Sequence, residues 1–185
     1  MRIFKGREVE LERLVIAVSV TMKRGDIVKL INTGVDIADA VSDPVYGICE
    51  GIVTKDGVPL NQALSADYDG TYTASTDTYV ATSDNVTDKK VCALVRPIFA
   101  GDVLSALADA AIGTTTGSDD SGYYIDVLTS DASKLDESNT HASNPLQFVT
   151  VDNGQGTGSC VDPVLGGNNI LVKLSEAQLP RAVQA

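Results

Sequence analysis

The stretch that decides the fold is Met22–Leu30, Met-Lys-Arg-Gly-Asp-Ile-Val-Lys-Leu, in which a basic pair precedes a Gly-Asp and an alternating apolar run. Glycine can take the positive φ that a tight turn needs, and aspartate can accept a hydrogen bond from the backbone of that turn. Val28 and Leu30 then share one face of a strand, while Lys29 points to the other. The stretch therefore predicts a turn that leads directly into a β-strand.

A second Gly-Asp lies at Gly101-Asp102. It is again set among apolar residues, in the segment 97–104, Pro-Ile-Phe-Ala-Gly-Asp-Val-Leu. A pattern that returns along a chain can indicate a repeated structural unit. The echo therefore suggests two related β-units.

Short alternating or β-branched runs continue on both sides of these turns. They predict strands at residues 15–20, 26–31, 35–41, 45–53, 79–82, 91–95, 123–128, 146–151 and 170–174. Polar, turn-rich segments at 114–122 and 129–144 predict long loops, and the polar segment 61–90 holds only short strand candidates such as 79–82. The chain is therefore predicted to be mostly β, as a β-barrel or tulip-like domain or a β-sandwich with long polar loops.

Two segments depart from plain alternation. Leucine and alanine recur at helical spacing between Leu104 and Ala111, which predicts a short helix over residues 103–111. Gly47 and Gly51 share one face of a predicted strand, where they indicate a bulge or the close approach of another backbone.

The apolar faces of the predicted strands define an expected core. In the first part of the chain it comprises Ile16, Val18, Val28, Leu30, Ile48 and one of Leu94 or Val95. In the second part it comprises Ile125, Phe148 and Val172.

A chain of 185 residues is long enough for one domain with a substantial core. We predict an extended N-terminal arm at 1–14, a mainly-β domain at 15–180 with room for two lobes (15–100 and 101–180), and a tail at 181–185.

No apolar run approaches a membrane span, and no signal peptide is recognised, which favours synthesis in a cytoplasm. The three cysteines, Cys49, Cys92 and Cys160, lack metal-ligand spacing and are expected to be reduced and buried.

The net charge of −11 is unevenly distributed. Residues 1–30 hold seven basic and four acidic residues, or +3, and the remainder holds seven basic and 21 acidic residues, or −14. An acidic body argues against nucleic-acid binding. A basic leading segment that also carries apolar residues is predicted to dock on a partner protein. The candidate partner-binding residues are Ile3, Phe4, Arg7, Val9, Leu11, Arg13, Lys23 and Arg24.

Motifs for catalysis are missing from the sequence. The one histidine, His141, lies in a polar segment with no recognisable motif around it. The segment that starts at Asp67 begins like a calcium loop, but its twelfth position is Thr78 instead of the required glutamate. We therefore predict no catalytic residue, no cofactor and no metal.

The order of these features resembles the small capsid decoration, or cement, proteins of tailed phages. The shared features are an arm and a strand, a basic Gly-Asp-apolar turn, the strand Val45-Tyr46-Gly47-Ile48, a second Gly-Asp within Ile98–Leu104, and Ile112-Gly113. The similarity covers residues 15–113, with a looser likeness at 146–152 and 170–179. The inserts at 61–90 and 114–145 depart from the compact pattern of such proteins.

The resemblance implies a barrel-like or tulip-like protein that forms a homotrimer on the outer surface of the virion capsid. Its partner would be the major capsid protein, and its function would be to stabilise the shell against the pressure of packaged DNA. One alternative is a β-sandwich carbohydrate- or cell-binding module of a virion fibre or surface protein, although the chain has no Trp and only nine Phe and Tyr residues. Another is a hydrolase with a divergent site around His141.

Overall fold

The computed structural model describes residues 2–5, 8–39, 43–82, 91–108, 124–136, 146–151, 160–161 and 168–174. For 2–5, 124–126, 148–151, 160–161 and 168–169, the structure describes the backbone. The described residues form strands β1 Arg2–Lys5, β2 Glu12–Val15, β3 Thr21–Lys23, β4 Ile27–Ile31, β5 Gly34–Ile37, β6 Gly47–Thr54, β7 Thr71–Thr73, β8 Thr78–Val80, β9 Val91–Pro97, β10 Val103–Ala108, β11 Tyr124–Val127, β12 Lys134–Asp136, β13 Leu146–Val151, β14 Cys160–Val161 and β15 Asn168–Leu174. They contain one turn of 3-10 helix, Ser65–Asp67, and no α-helix. The prediction of a mostly β chain is confirmed.

The chain divides into two compact units. The first unit is Val9–Ala38 with Tyr46–Pro97, and the second is Met1–Glu8, Asp39–Val45 and Ile98–Ala185. Two short segments from the first half of the chain, 1–8 and 39–45, belong to the second unit.

The first unit is built on a ring of five strands. An antiparallel sheet has the order β2-β9-β6-β4-β5. Its ends are joined by a parallel bridge between Ile16 and Val35, where the Ala17 N–H donates to the Val35 carbonyl at 3.0 Å. A smaller sheet has the order β3-β8-β7. Strand β3 precedes the Gly25-Asp26 turn, and β7 and β8 belong to the segment between β6 and β9, described at 55–82 and called the hairpin insert. Closure through a bridge removes most of the free sheet edge, as in small β-barrels.

The second unit also has a ring of five strands. Its pairings run from β10 through β12, β11, β13 and β15 and back to β10. The β10–β12 pair is parallel and the other pairs are antiparallel. Strands β1 and β14 add to this ring, β1 alongside β10 and β14 alongside β15.

The two rings have the same topology. If the five strands of each ring are numbered 1 to 5 along the chain, they are β2, β4, β5, β6 and β9 in the first ring and β10, β11, β12, β13 and β15 in the second. In both rings the pairing order is 1-5-4-2-3, and strand 3 closes the ring by pairing in parallel with strand 1. Facing residues also correspond. The matching pairs are Glu12–Val95 with Leu104–Val172, Ile16–Val35 with Ala108–Leu135, Leu30–Val35 with Val127–Leu135, and Val28–Gly47 with Ile125–Leu146.

The fourth strand of each ring carries the same irregularity. In β6 the register against β9 shifts between Cys49 and Gly51, and in β13 the register against β15 shifts between Phe148 and Thr150. Each is a bulge, because one extra residue is left without a facing partner. A shared bulge, together with matching registers, shows that the units are structural repeats.

The two Gly-Asp turns have the same local geometry. In the first, Gly25 has φ 92° and the Lys23 N–H donates to Asp26 Oδ2 at 2.8 Å. In the second, Gly101 has φ 91° and the Phe99 N–H donates to Asp102 Oδ2 at 3.0 Å. They nevertheless lead into non-equivalent strands, β4 and β10, so the sequence echo marks a repeated turn and not the register of the repeat.

Most of the predicted core positions are buried. Ile16, Val28, Ile48, Val95 and Val172 are each fully buried. Cys49 and Cys92 are buried as expected. The side chains of Ile125, Phe148 and Cys160 lie outside the described residues.

Two predicted core residues are instead on the surface. Val18 is 46% exposed because β2 ends at Val15, and Val18 lies in a turn closed by the Val20 N–H donating to the Ala17 carbonyl. Leu30 is 46% exposed. It lies where β4 has passed the start of β6, and among the described strands β5 alone pairs with it there.

The predicted helix over 103–111 is wrong for residues 103–108, and 109–111 lie outside the described residues. Residues 103–108 form β10, which pairs with β15 on one edge and with β1 and β12 on the other. Tertiary pairing has therefore overridden the helical propensity of leucine and alanine. The expectation for Gly47 is confirmed, since a Cβ there would lie 2.5 Å from the Arg96 carbonyl oxygen.

Candidate functional site

The basic pair Lys23–Arg24 is held on a rigid turn in the first unit. The Gly25 N–H donates to the Cys49 carbonyl at 2.7 Å, and the Cys49 N–H donates to the Asp26 carbonyl at 2.9 Å. The turn is thus fixed to β6 immediately before its bulge. Asp26 is itself buried, so its carboxylate acts as an internal support for the turn.

A groove of about 220 Å³ lies where this turn, the bulge and the hairpin insert meet. Its lining comprises Arg24, Glu50, Gly51, Ile52, Val53, Pro59, Leu60, Asn61, Asp77 and Leu94. Glu50 is the extra residue of the bulge, and its Oε2 lies 3.8 Å from Arg24 Nη2. The Arg24 side chain remains 69% exposed, so it is available to an outside partner. The groove therefore combines one exposed cation with two carboxylates.

Three tyrosines of the hairpin insert pack edge to face beside the groove. The Tyr68 ring lies 6.5 Å from Tyr72 and 6.5 Å from Tyr79, in edge-to-face contacts. The Tyr72 hydroxyl donates to Asp77 Oδ1 at 2.7 Å, and this hydrogen bond is the main cause that raises the pKa of Tyr72 to about 12. Tyr79 is fully buried and donates to the Asp69 carbonyl; burial raises its pKa.

The buried thiol beside the turn is a poor nucleophile. Burial, reinforced by the nearby Asp26 carboxylate, raises the pKa of Cys49 to about 12. A thiol needs to lose its proton before it can attack a substrate or bind a metal. Cys49 therefore serves packing between the bulge and the core and supports no covalent chemistry at neutral pH.

The predicted partner-binding residues fall into separate groups. Ile3 and Phe4 lie in β1 of the second unit, whose side chains are not described, and Arg7 lies outside the described residues. In the first unit, Val9 is half-buried and Leu11 is 41% exposed.

Arg13 is exposed and its Nη1 donates to the Lys55 carbonyl at 3.4 Å. Lys23 and Arg24 are neighbours on the Gly-Asp turn. Sequence analysis did not find Glu50 or Asp77 as neighbours of Arg24. Gly51 was the available signal, because a glycine inside a strand can indicate a bulge.

Within the described residues, no group of three or more His, Cys, Asp or Glu side chains is placed to hold a metal ion. In the same part of the chain, no helix is long and apolar enough to cross a membrane. His141 lies outside the described residues. No protein-family model, curated protein or solved structure matches the chain.

Proposed function

We propose that the protein is a structural virion component that binds the outer surface of a tailed-phage capsid. As a homotrimer bound to the major capsid protein, it would stabilise the shell against the internal pressure of DNA. Added contact area between shell subunits supplies this resistance without chemistry, so the proposed protein is not an enzyme and needs no cofactor.

The observation that carries the proposal is the rigid basic turn on an otherwise acidic chain. Lys23 and Arg24 are presented at a corner held by the Asp26 carboxylate and by two hydrogen bonds to Cys49. A preorganised cationic corner loses little conformational freedom when it binds, which favours docking on an acidic protein surface.

The overall charge supports the same proposal. With −14 outside residues 1–30, the body carries like charge that opposes association between decorated particles. Ile3 and Phe4, which lie in strand β1, would contribute roughly 1.5–3 kcal/mol each if a partner buried their side chains. Nucleic acid and membranes are not partners in this proposal.

The test is binding to purified shells that lack decoration. The wild-type protein is sized in solution and then sedimented with shells, and we expect a trimer that binds and raises the temperature at which shells rupture. The double change Lys23→Glu and Arg24→Glu should weaken binding at least tenfold. Lys55→Glu, which reverses one charge on an exposed turn elsewhere in the first unit, is the control and should bind nearly as wild type. No binding by the wild-type protein would contradict the proposal.

A second candidate function is carbohydrate or cell-surface binding, favoured by the tyrosine cluster. Tyr68 and Tyr72 are partly exposed next to a groove that offers Asn61, Asp77 and Glu50 as hydrogen-bond partners. Aromatic rings beside polar groups are common in ligand-binding clefts. A glycan array distinguishes the candidates: binding lost with Tyr72→Ala would favour the carbohydrate function, and a blank array would favour the capsid function.

A further inference from the structure

Strands β2 and β10 hold the same place in the two rings, but among the described strands only β10 has an additional strand beside its first half. There β1 pairs antiparallel with β10, with Arg2 facing Ser105 and Ile3 facing Leu104. The residues of β2 that correspond to Ser105 and Leu104 are Arg13 and Glu12, because they face equivalent residues of β9 and β15. The repeat thus identifies an edge of β2 that is the counterpart of a covered edge.

The backbone of β2 presents hydrogen-bonding groups at this edge. The Val15 carbonyl oxygen points at Gly34 of β5, since a Cβ on Gly34 would lie 2.0 Å from it. Backbone groups of alternate residues in a strand point to the same edge, so those of Arg13 and Leu11 point the same way. β5 runs parallel to β2 and begins at Gly34, beside Val15, so it does not extend alongside residues 11–13. No strand of the described chain pairs with those residues on that side.

The side chains of β10 at this edge are also more buried than the equivalent side chains of β2. Leu104 and Ser105 of β10 are 0% and 4% exposed, whereas Glu12 and Arg13 at the equivalent positions are exposed. Unpaired N–H and C=O groups at an open edge form a template for one more strand. The structure therefore contains the same edge in a covered state and in an open state.

The charge near the open edge indicates what could cover it. Glu10 and Glu12 are exposed just before and at the start of β2. The strand that covers the equivalent edge, Arg-Ile-Phe-Lys, is basic at both ends and apolar between them. A segment of that composition would pair its charges with the glutamates while its backbone extends the sheet.

We infer that the open edge of β2 at residues 11–13 accepts an extended basic segment of another protein as an added antiparallel strand. This deepens the proposed function and rests on it for the source of the segment, which we assign to the shell subunit. A second copy of this chain is disfavoured because its β1 already pairs with its own β10. Direct contact between two β2 edges would also bring the glutamates of both copies together.

The first test uses the full-length protein and a labelled peptide, Arg-Ile-Phe-Lys-Gly-Arg, the sequence of residues 2–7. Fluorescence anisotropy should show saturable binding that weakens with salt. Leu11→Pro removes one outward N–H at an edge position where proline is tolerated, and should weaken binding at least tenfold. The matched control, Leu11→Ala, removes the side chain but keeps the N–H, so it should weaken binding clearly less than Leu11→Pro does; equal losses would show that the backbone N–H is not what binds the peptide.

Hydrogen exchange locates the bound peptide. The inference predicts new protection at the Leu11 and Arg13 amides and unchanged protection at Val103 and Ser105. Protection changes confined to Val103 and Ser105 would mean that the peptide replaces β1, and would overturn the inference. Absence of peptide binding would also overturn the inference. The charged residues at the edge would then have the function of preventing aggregation between sheet edges. A change in the size of the free protein on Leu11→Pro would identify a second copy as the occupant and overturn the assignment.

Undecorated shells test the source of the segment separately. If wild type binds shells and Leu11→Pro does not, the shell subunit supplies the strand. If both proteins bind equally, the inferred partner is wrong while the proposed function stands. If neither binds, the proposed function fails and the assignment of the segment fails with it, and the peptide result still decides whether the edge accepts a strand.

Discussion

The two five-stranded rings share topology, register and a bulge, but their first strands have different surroundings. Strand β10 is buried between β15 on one side and β1 with β12 on the other, and it carries Leu, Ser and Ala at positions 104–106. Strand β2 carries Glu, Arg and Leu at the equivalent positions 12–14, and no described strand pairs with its first half on the edge away from β9. The comparison shows that one backbone framework can support either a covered or an open strand. The covered strand carries apolar and small residues, and the open strand carries charged residues.

The largest expected effect comes from truncating the covered strand. Leu104 is fully buried, so Leu104→Ala should lower the free energy of unfolding by roughly 2–5 kcal/mol through lost burial and a cavity. Leu11→Ala is the matched change beside β2 and should cost less than about 1 kcal/mol, since Leu11 is 41% exposed. Denaturant titration measures both, and equal costs would contradict the difference in burial.

The two Gly-Asp turns should contribute similarly, although they lie at different places in the rings. Asp26 and Asp102 are both buried and each accepts a backbone N–H three residues earlier. Replacing either with alanine leaves that N–H without its acceptor and should cost about 1–3 kcal/mol. Thermal unfolding of the two variants provides the comparison. A change that is neutral at one turn and costly at the other would show that the turns are not energetically equivalent.

Removing the arm strand should convert the covered edge into an open one. Deletion of residues 2–5 takes away β1, so the Val103 and Ser105 amides should lose protection in hydrogen exchange. The amides of β6 in the first unit should keep theirs, because β1 pairs only with β10 among the described strands. Retained protection at Val103 and Ser105 would mean that another segment replaces β1.

A smaller effect is expected at high pH in the first unit. Burial, followed by the hydrogen bond to Glu12 Oε2, raises the pKa of Tyr46 to about 12, above the value near 10 of an unfolded tyrosine. The folded state then holds the proton more tightly, so this contribution to stability is complete below about pH 10 and is lost as the pH rises toward 12. Glu12→Gln should lower the pKa measured by tyrosinate absorbance, and an unchanged titration would contradict the role of Glu12.

Sequence reasoning predicted the mostly β class and the turn at Gly25-Asp26, because alternation and turn chemistry are local signals. It also indicated the close backbone approach at Gly47, since a glycine inside a strand often lies where a side chain would not fit. It could not predict the register of the repeat: Gly47 and Leu146 occupy equivalent positions without chemical similarity. Long-range strand pairing therefore defines the repeat more clearly than residue type does.

The same limit explains the errors in the core and in the candidate site. Leu30 fits the apolar face of a strand, but its burial depends on how far β6 extends alongside. The helical spacing after Leu104 could not show that β10 is paired on both edges. The basic turn was found from its sequence, whereas the Glu50 and Asp77 carboxylates in its groove depend on a bulge and on a hairpin far along the chain.

Amide hydrogen exchange of the intact protein tests the central comparison most directly. The amides of Val103 and Ser105 on the covered strand are compared with those of Leu11 and Arg13 at the equivalent open edge. We expect the first pair to be strongly protected and the second pair to exchange at nearly the rate of an unstructured chain. Comparable protection at all four amides would contradict the open edge of β2, and with it the inferred binding of an added strand.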